Sequence, residues 1–432
     1  MKTLFTGADI LTEENGIYKT LKHACLGVEN DTICYIGESI PEEPYDVIRD
    51  FSGKLLIPGL INGHTHTPMT LLRGLGSDQN LQTWLYDYIF PTEDKLRAQD
   101  IRVGTDLALL EMLSTGTTSF TDMYNFTEET VAACTDAGIK ANLCRPVQEF
   151  DSNADPRENF RIRESMELFR GFHHAAEDRI RIDFAIHAEY TSNESTVRYY
   201  SELAAENHGR MHLHMSETKT EHEECIARRG KTPAAYFRDC GTFLSPTAAA
   251  HCVWVSEEDI EIMAQCGVTA MHNPSSNMKL GSGFAPVEKM RQRGVNVTLG
   301  TDGAASNNNL NMFEELHLAS IIHNGYMTDP TVMKPEITFA MATRNGALQQ
   351  GREDTGALVV GKKADVVAID LHRPHLFPNP DTLSTLCYTA QGNDVCMTMV
   401  NGKVLYENGE FKTIDAERVY ALAAESVAYL GI

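Results

Sequence analysis

The 432-residue chain sets 37 Lys plus Arg against 60 Asp plus Glu, a net charge of −23 with histidine neutral. A nucleic-acid binder needs a basic stripe to neutralise phosphates, and no Lys/Arg-rich run occurs, so no nucleic-acid partner is expected. At 42% hydrophobic and 22% charged the composition is ordinary for a globular protein, and no apolar run approaches the roughly 20 residues of a membrane helix.

Met1 to Gly7 carries one lysine and no apolar run of signal-peptide length. The ten cysteines contain no C-x-x-C and no dense cluster, so they read as reduced thiols rather than a disulfide frame or a zinc ribbon. A soluble cytoplasmic protein with no membrane partner is expected.

In chain order, Leu4 to Ile10, Ala24 to Val28 and Thr32 to Ile36 read as short strands, the last two joined by a turn at Glu29-Asn30-Asp31. From Leu55 apolar strands alternate with helical segments, the mark of parallel βαβ units. The strand candidates are Leu60 to His66, Thr117 to Met123, Ala141 to Val147, Ile180 to His187, Arg210 to Met215, Ala248 to Val253, Thr269 to Asn273 and Val295 to Gly300. Helix-like runs include Asp100 to Leu113, Glu128 to Ala137, Glu194 to Asn207, Ser256 to Gln265 and Pro286 to Arg293. The polar stretch Asp151 to Glu164 is long for a βα loop and makes a candidate lid. After Pro335 to Leu348, β character returns at Ala364 to Ile369 and in the pair Thr398 to Val400 and Lys403 to Tyr406 around Asn401-Gly402.

The predicted fold is α/β: a (β/α)8 barrel over residues 59–354, with residues 1–58 and 355–432 joining both termini in one small β-sandwich.

Chemistry-bearing residues collect at the C-terminal ends of these strands, where barrel active sites lie. His64 and His66 are two apart in a strand, so both imidazoles face the same way and can grip one metal ion. With 16 histidines in the chain, an isolated H-x-H pair is unremarkable; its place at a strand end gives it weight. A second pair, His212 and His214, ends the fifth strand, with Glu217 three residues beyond. His212 reads equally as a barrel-lining residue, whereas His214 would complete three histidine ligands and leave a position open for water. His251 ends strand six. Asp302 ends strand eight; alone it would be a turn residue before Gly303, but beside a cation its carboxylate stays ionised and can take a proton from water.

Pro58-Gly59-Leu60-Ile61-Asn62-Gly63-His64-Thr65-His66, His214-x-x-Glu217, His251 and Thr301-Asp302-Gly303 resemble the amidohydrolase superfamily. More narrowly they resemble its S-adenosylhomocysteine/5-methylthioadenosine deaminase branch, with chlorohydrolases as near relatives. The likeness covers nearly the whole chain, including Gly356-Ala357-Leu358 through Gly361-Lys362-Lys363-Ala364-Asp365. It implies one divalent metal ion, zinc first and iron second, held by His64, His66, His214 and Asp302. It gives Glu217 a proton-shuttle role to a ring nitrogen and His251 the orientation of the attacking oxygen. For substrate it implies Trp84 beside the base, Glu93 on the ribose hydroxyls, His187 and Ser306 in contact, and Arg145 and Arg157 at an acidic tail. Arg161 and Arg163 lie in the same loop as Arg157, so that last assignment stays open.

No H-x-E with a later P-C-x-x-C is present, which excludes the cytidine-deaminase design. No lysine lies between Lys140 and Lys219, so the bridging carbamate of binuclear amidohydrolases has no source and one metal is favoured. The expected activity is metal-dependent hydrolytic deamination of an adenosine derivative: 5-methylthioadenosine, S-adenosylhomocysteine, 5-deoxyadenosine or adenosine. The rivals are a hydrolase of guanine, a pterin or a chlorinated triazine, and a non-catalytic metal-binding barrel. The expected partner is thus a small purine nucleoside, and a homo-oligomer stays open.

Overall fold

The computed structural model describes residues 1–432. Strands from both ends of the chain share one nine-stranded sheet, in which Lys54–Pro58 lies between the N-terminal strand Lys2–Glu14 and the C-terminal strand Val366–Asp370. Residues from both ends, Phe5, Ile10, Leu26, Leu56, Val366 and Met397 among them, close over a common core. The opening hairpin is longer than the sequence reading, running Lys2–Glu14 and Ile17–Glu29. Asn15 and Gly16 turn it, with φ of 51° and 80°, the left-handed pair that a tight hairpin requires.

The barrel follows at once, its eight parallel strand positions running from Leu60–Thr65 to Val297–Leu299. Strands three and four each break once. Lys140–Cys144 gives way to Pro146–Val147, and Ile180–Ile182 to Phe184–Ile186. Proline offers no amide to a ladder and restricts the residue before it, which accounts for the first break at Arg145. The ladder therefore reads as a four-stranded and a six-stranded parallel sheet. Between strands eight and one, the Asp302 amide donates to the His64 carbonyl at 2.9 Å. Gly300 lets the two backbones approach: a Cβ there would lie 2.8 Å from the His64 nitrogen.

Outside the strands run Ala98–Ser114, Thr127–Ala137, Glu194–Glu206, Glu257–Cys266 and Met312–Met327. The predicted Ser256 start is a capping box: its hydroxyl accepts from the Asp259 amide at 3.1 Å while Asp259 takes the Ser256 amide at 2.9 Å. The largest apolar cluster fills the space between strands and helices, with Leu213, Met215, Val297, Leu299 and Phe313 fully shielded.

Two expectations need correction. The stretch Asp151 to Glu164 is only partly loop, because Asn159 caps a helix over Phe160–Phe172 by accepting from the Arg161 amide at 2.9 Å. A C-terminal helix, Ala416–Leu430, was not anticipated at all. Its buried positions Val419, Ala423, Ser426 and Leu430 follow a helical period, and Ser426 Oγ donates to Asp100 on Ala98–Ser114 at 2.7 Å.

Candidate active site at the barrel mouth

Three imidazoles and one carboxylate converge where strands one, five and eight end. His66 Nδ1 donates to the Met123 carbonyl at 2.6 Å and His214 Nδ1 to the His187 carbonyl at 2.8 Å. A carbonyl only accepts, so both rings carry a proton on Nδ1 and turn Nε2 inward. Those two Nε2 atoms are 3.3 Å apart. His64 Nε2 is buried without a partner, and burial pulls that ring's pKa down to about 4, leaving it neutral. Asp302 Oδ1 stands 3.4 Å from His64 Nε2 and 3.3 Å from His66 Nε2. Burial works to raise Asp302, but His64 and His66 hold it well below the usual carboxylate range. Its second oxygen is taken by hydroxyls, Ser276 Oγ at 2.6 Å and Ser306 Oγ at 2.8 Å, so only Oδ1 is free. Asp302 sits at φ 62°, a left-handed turn that aims the carboxylate across the mouth.

Next to this cluster lie an acid and a further histidine. Burial raises the Glu217 carboxyl, and its Oε2 is 3.7 Å from His251 Nε2. Asn277 Oδ1 accepts from His251 Nδ1 at 2.9 Å, which leaves Nε2 facing the cavity.

The cavity above holds about 330 Å³. His66, His214, Glu217, His251 and Asp302 form its floor, and Trp84, Glu93, Tyr124, His187 and Ser306 line its sides. Trp84 is held by its indole N–H on the Leu75 carbonyl at 3.1 Å. Glu93 accepts from the Tyr124 hydroxyl, and burial raises its carboxyl. Burial also pulls His187 down to about 3, so this ring is neutral. Two predicted residues are not at the cavity. Arg145 is buried beside strand three with Nε 2.6 Å from Glu164, and Arg157 is exposed, paired with Asp155 at 2.6 Å. The arginine that lines the cavity is Arg161, hydrogen-bonded to Asn125 Oδ1 at 2.8 Å, and the exposed Phe150 lines the same cavity.

The amidohydrolase family matches residues 55–405. The chain belongs to that family. Among its relatives, a 5-methylthioadenosine/S-adenosylhomocysteine deaminase of Thermoanaerobacter pseudethanolicus is 44% identical over 400 residues, covering 92% of both chains. A 5'-deoxyadenosine deaminase of Methanothermobacter thermautotrophicus is 39% identical, covering 99% of this chain and 98% of its own. A solved adenosine deaminase from Xanthomonas campestris with bound zinc superposes with TM-score 0.93 at 30% identity, covering 99% of this chain and 98% of its own. A solved atrazine chlorohydrolase from Arthrobacter aurescens shares the fold, with TM-score 0.91 at 23% identity and coverage of 98% and 100%.

The amidohydrolase site suits a divalent metal ion on its own geometry. The ligand atoms of His64, His66 and His214 lie within 4.8 Å of one another, as do those of His64, His251 and Asp302. A buried, unpartnered, neutral Nε2 beside an ionised carboxylate is a donor arrangement that lacks only a cation. His212, left undecided by the sequence, stands behind this set. Its Nε2 accepts from His64 Nδ1 at 2.9 Å, which fixes the His64 tautomer, and its Nδ1 faces Cys144 Sγ at 3.7 Å. Ser276, Asn277 and Tyr124 were missed as site residues, while Arg161 stood open as an alternative to Arg157. Ser276 and Asn277 lie inside the strand-seven motif His272 to Leu280, so their neighbourhood was legible although their partners were not. Tyr124, just past the end of strand two, and Arg161, in the first turn of a helix, carry no sequence signal that they turn toward the cavity.

Proposed function

We propose that this amidohydrolase removes the 6-amino group of an adenosine derivative by hydrolysis, yielding an inosine analogue and ammonia. The observation that carries the reading is the pairing, in one cavity, of the histidine and aspartate donors with the buried acid Glu217 and the Glu93–Tyr124 pair. The names of the two relatives matched by sequence, both deaminases of adenosine-type nucleosides, agree with it.

His64, His66 and His214 through Nε2, and Asp302 through Oδ1, would hold one divalent ion, zinc by analogy with the Xanthomonas enzyme. Such an ion supplies Lewis acidity and makes a nucleophile of water near neutral pH. Glu217, whose raised carboxyl keeps its proton more readily, donates to a ring nitrogen as the 6-carbon is attacked. His251, its tautomer set by Asn277, accepts from and orients the attacking oxygen through Nε2. Asp302 takes up one proton of the attacking water and passes it to the departing amine, and the remaining hydroxyl proton on the 6-carbon returns to Glu217, so water and the aminopurine become the oxopurine and ammonia. Glu93, which also lines the cavity, offers carboxylate oxygens to the paired ribose hydroxyls, and Trp84 shields the base. Arg161 is the group that meets an acidic 5'-tail. Ser306 acts through Asp302.

The same reading divides the chain into a catalytic barrel over 59–354 and a sheet domain from 1–58 and 355–432. Its support is the passage from the terminal sheet at Lys54–Pro58 to the barrel at Leu60–Thr65. No helix is long and apolar enough to cross a membrane, and all ten cysteines are free, which fits a cytoplasmic enzyme.

The test is ammonia release from zinc-loaded protein offered adenosine, 5-methylthioadenosine, 5'-deoxyadenosine and S-adenosylhomocysteine. At least one is turned over with a loss of adenosine-type absorbance. No release from any of the four refutes the reading.

A further inference from the structure

Helix Lys219–Arg229 starts from Thr218, whose Oγ1 accepts from the Glu221 amide at 3.1 Å. A glutamate in this third helical position ordinarily reaches back to the amide of the cap residue itself. Glu221 instead passes over Thr218. Its Oε1 accepts from the Ser216 amide at 2.9 Å and its Oε2 from the Glu217 amide at 2.7 Å.

Those two residues form the turn that leaves strand Met211–Met215 and launches the Glu217 side chain. Ser216 is left-handed, with φ 49°, a conformation that a serine holds only where its surroundings impose it. Its other polar atoms are held as well: the carbonyl accepts from the Trp254 amide at 2.9 Å, and Oγ lies 3.1 Å from His222 Nδ1. Glu221 itself is buried at 6% exposure and pairs with no lysine or arginine. Burial, together with the Glu217 carboxyl, pushes Glu221 up to about 7. An acid kept in such a place at an electrostatic cost, on a helix already capped by Thr218, is more than a cap.

We propose that Glu221 is a positioning residue: by clamping the Ser216 and Glu217 amides it sets the direction from which the Glu217 carboxyl enters the cavity. This rests on the role given to Glu217 above, and the test separates the two.

The full chain, metal-loaded, is compared with Glu221→Gln, in which one of the two acceptors becomes an amide donor facing a backbone N–H. In hydrogen–deuterium exchange the Ser216 and Glu217 amides are expected to exchange about tenfold faster or more, while the amides of residues 223–229 keep their protection. With a substrate that the parent turns over, kcat is expected to fall about tenfold or more, KM to stay within about threefold, and metal content to match the parent. In a Glu217→Gln background the further substitution Glu221→Gln is expected to cost nothing more. Unchanged exchange at the two amides overturns the proposal, as does an equal loss of kcat in the Glu217→Gln background. If Glu221→Gln does not fold, Glu221→Asp, shorter by one methylene, is measured by the same readouts against the same outcomes. If the parent acts on no adenosine derivative, the function reading fails and the exchange experiment alone decides the clamp.

Discussion

The donors on the floor of the cavity stand at the ends of hydrogen-bonded barrel strands, whereas the groups at its rim stand on loops and short helices between them. His64, His66, His214 and Asp302 are each fixed twice, once by the backbone and once by a hydrogen bond of the side chain, with the His212 ring, the Met123 carbonyl, the His187 carbonyl and the two serine hydroxyls respectively. At the rim, the Arg161 guanidinium has one hydrogen bond, to Asn125, and Phe150 is 72% exposed. A floor built this way holds its geometry before any ligand arrives; a rim built this way is free to vary with the substrate's tail.

That contrast can be broken or sharpened by substitution. The largest effect is expected at the floor: Asp302→Ala should abolish ammonia release and leave well under one equivalent of metal by atomic absorption. Retention of a full equivalent would remove Asp302 from the donor set. Glu217→Gln should lower kcat by about 10²- to 10⁴-fold, the usual worth of a positioned acid–base group, with metal retained. A fall confined to KM would show that this carboxyl binds rather than transfers protons. Asn277→Leu should cost about 10- to 100-fold in kcat, because His251 loses the acceptor that fixes its tautomer. Full activity in that variant would mean that packing alone orients the ring.

At the rim the expected change is one of selectivity. Arg161→Ala should reduce the preference for S-adenosylhomocysteine over 5-methylthioadenosine by about tenfold, as loss of one charge-assisted contact implies. Arg157→Ala should leave the ratio alone, since that guanidinium is exposed and occupied by Asp155. The opposite pattern would restore the assignment suggested by sequence. The smallest effect lies beneath the floor, where Glu315 ties the loop after strand seven, at Ser275, to the loop after strand eight, at Asn307. Burial lifts its carboxyl from 4.5 to about 7. Between those values the folded state binds more protons than the unfolded, so this group's contribution to stability declines as pH rises from about 4.5 to about 7. In Glu315→Gln that decline disappears, and urea unfolding at pH 5 and pH 8 should differ by up to about 3 kcal/mol less than in the parent. An unaltered difference would mean that the carboxyl is ionised throughout.

The floor was legible because strand geometry is regular. Two residues apart means one face, so His64 and His66 point together wherever that strand lies. Parallel strands in a barrel share one C-terminal face, so His214, His251 and Asp302 converge once the strand ends are read. The rim was not legible for the same kind of reason in reverse. Arg157, Arg161 and Arg163 fall within seven residues, and only the start of helix Phe160–Phe172 at the Asn159 cap decides which of them turns inward. Arg145 ends up against Glu164 because strand three breaks before Pro146. Neither outcome follows from spacing alone.

By itself, then, the sequence determined the alternation of strands and helices, the β character of both ends, and the set of donors at the strand ends, since each of these follows from local periodicity. Only the tertiary structure decided which arginine reaches the cavity, that His212 stands behind His64 rather than beside it, and that Glu221 reaches past its own cap to the Ser216–Glu217 turn. Those are choices between partners far apart in the chain, or between rotamers and turns of similar local energy, and packing is what selects among them.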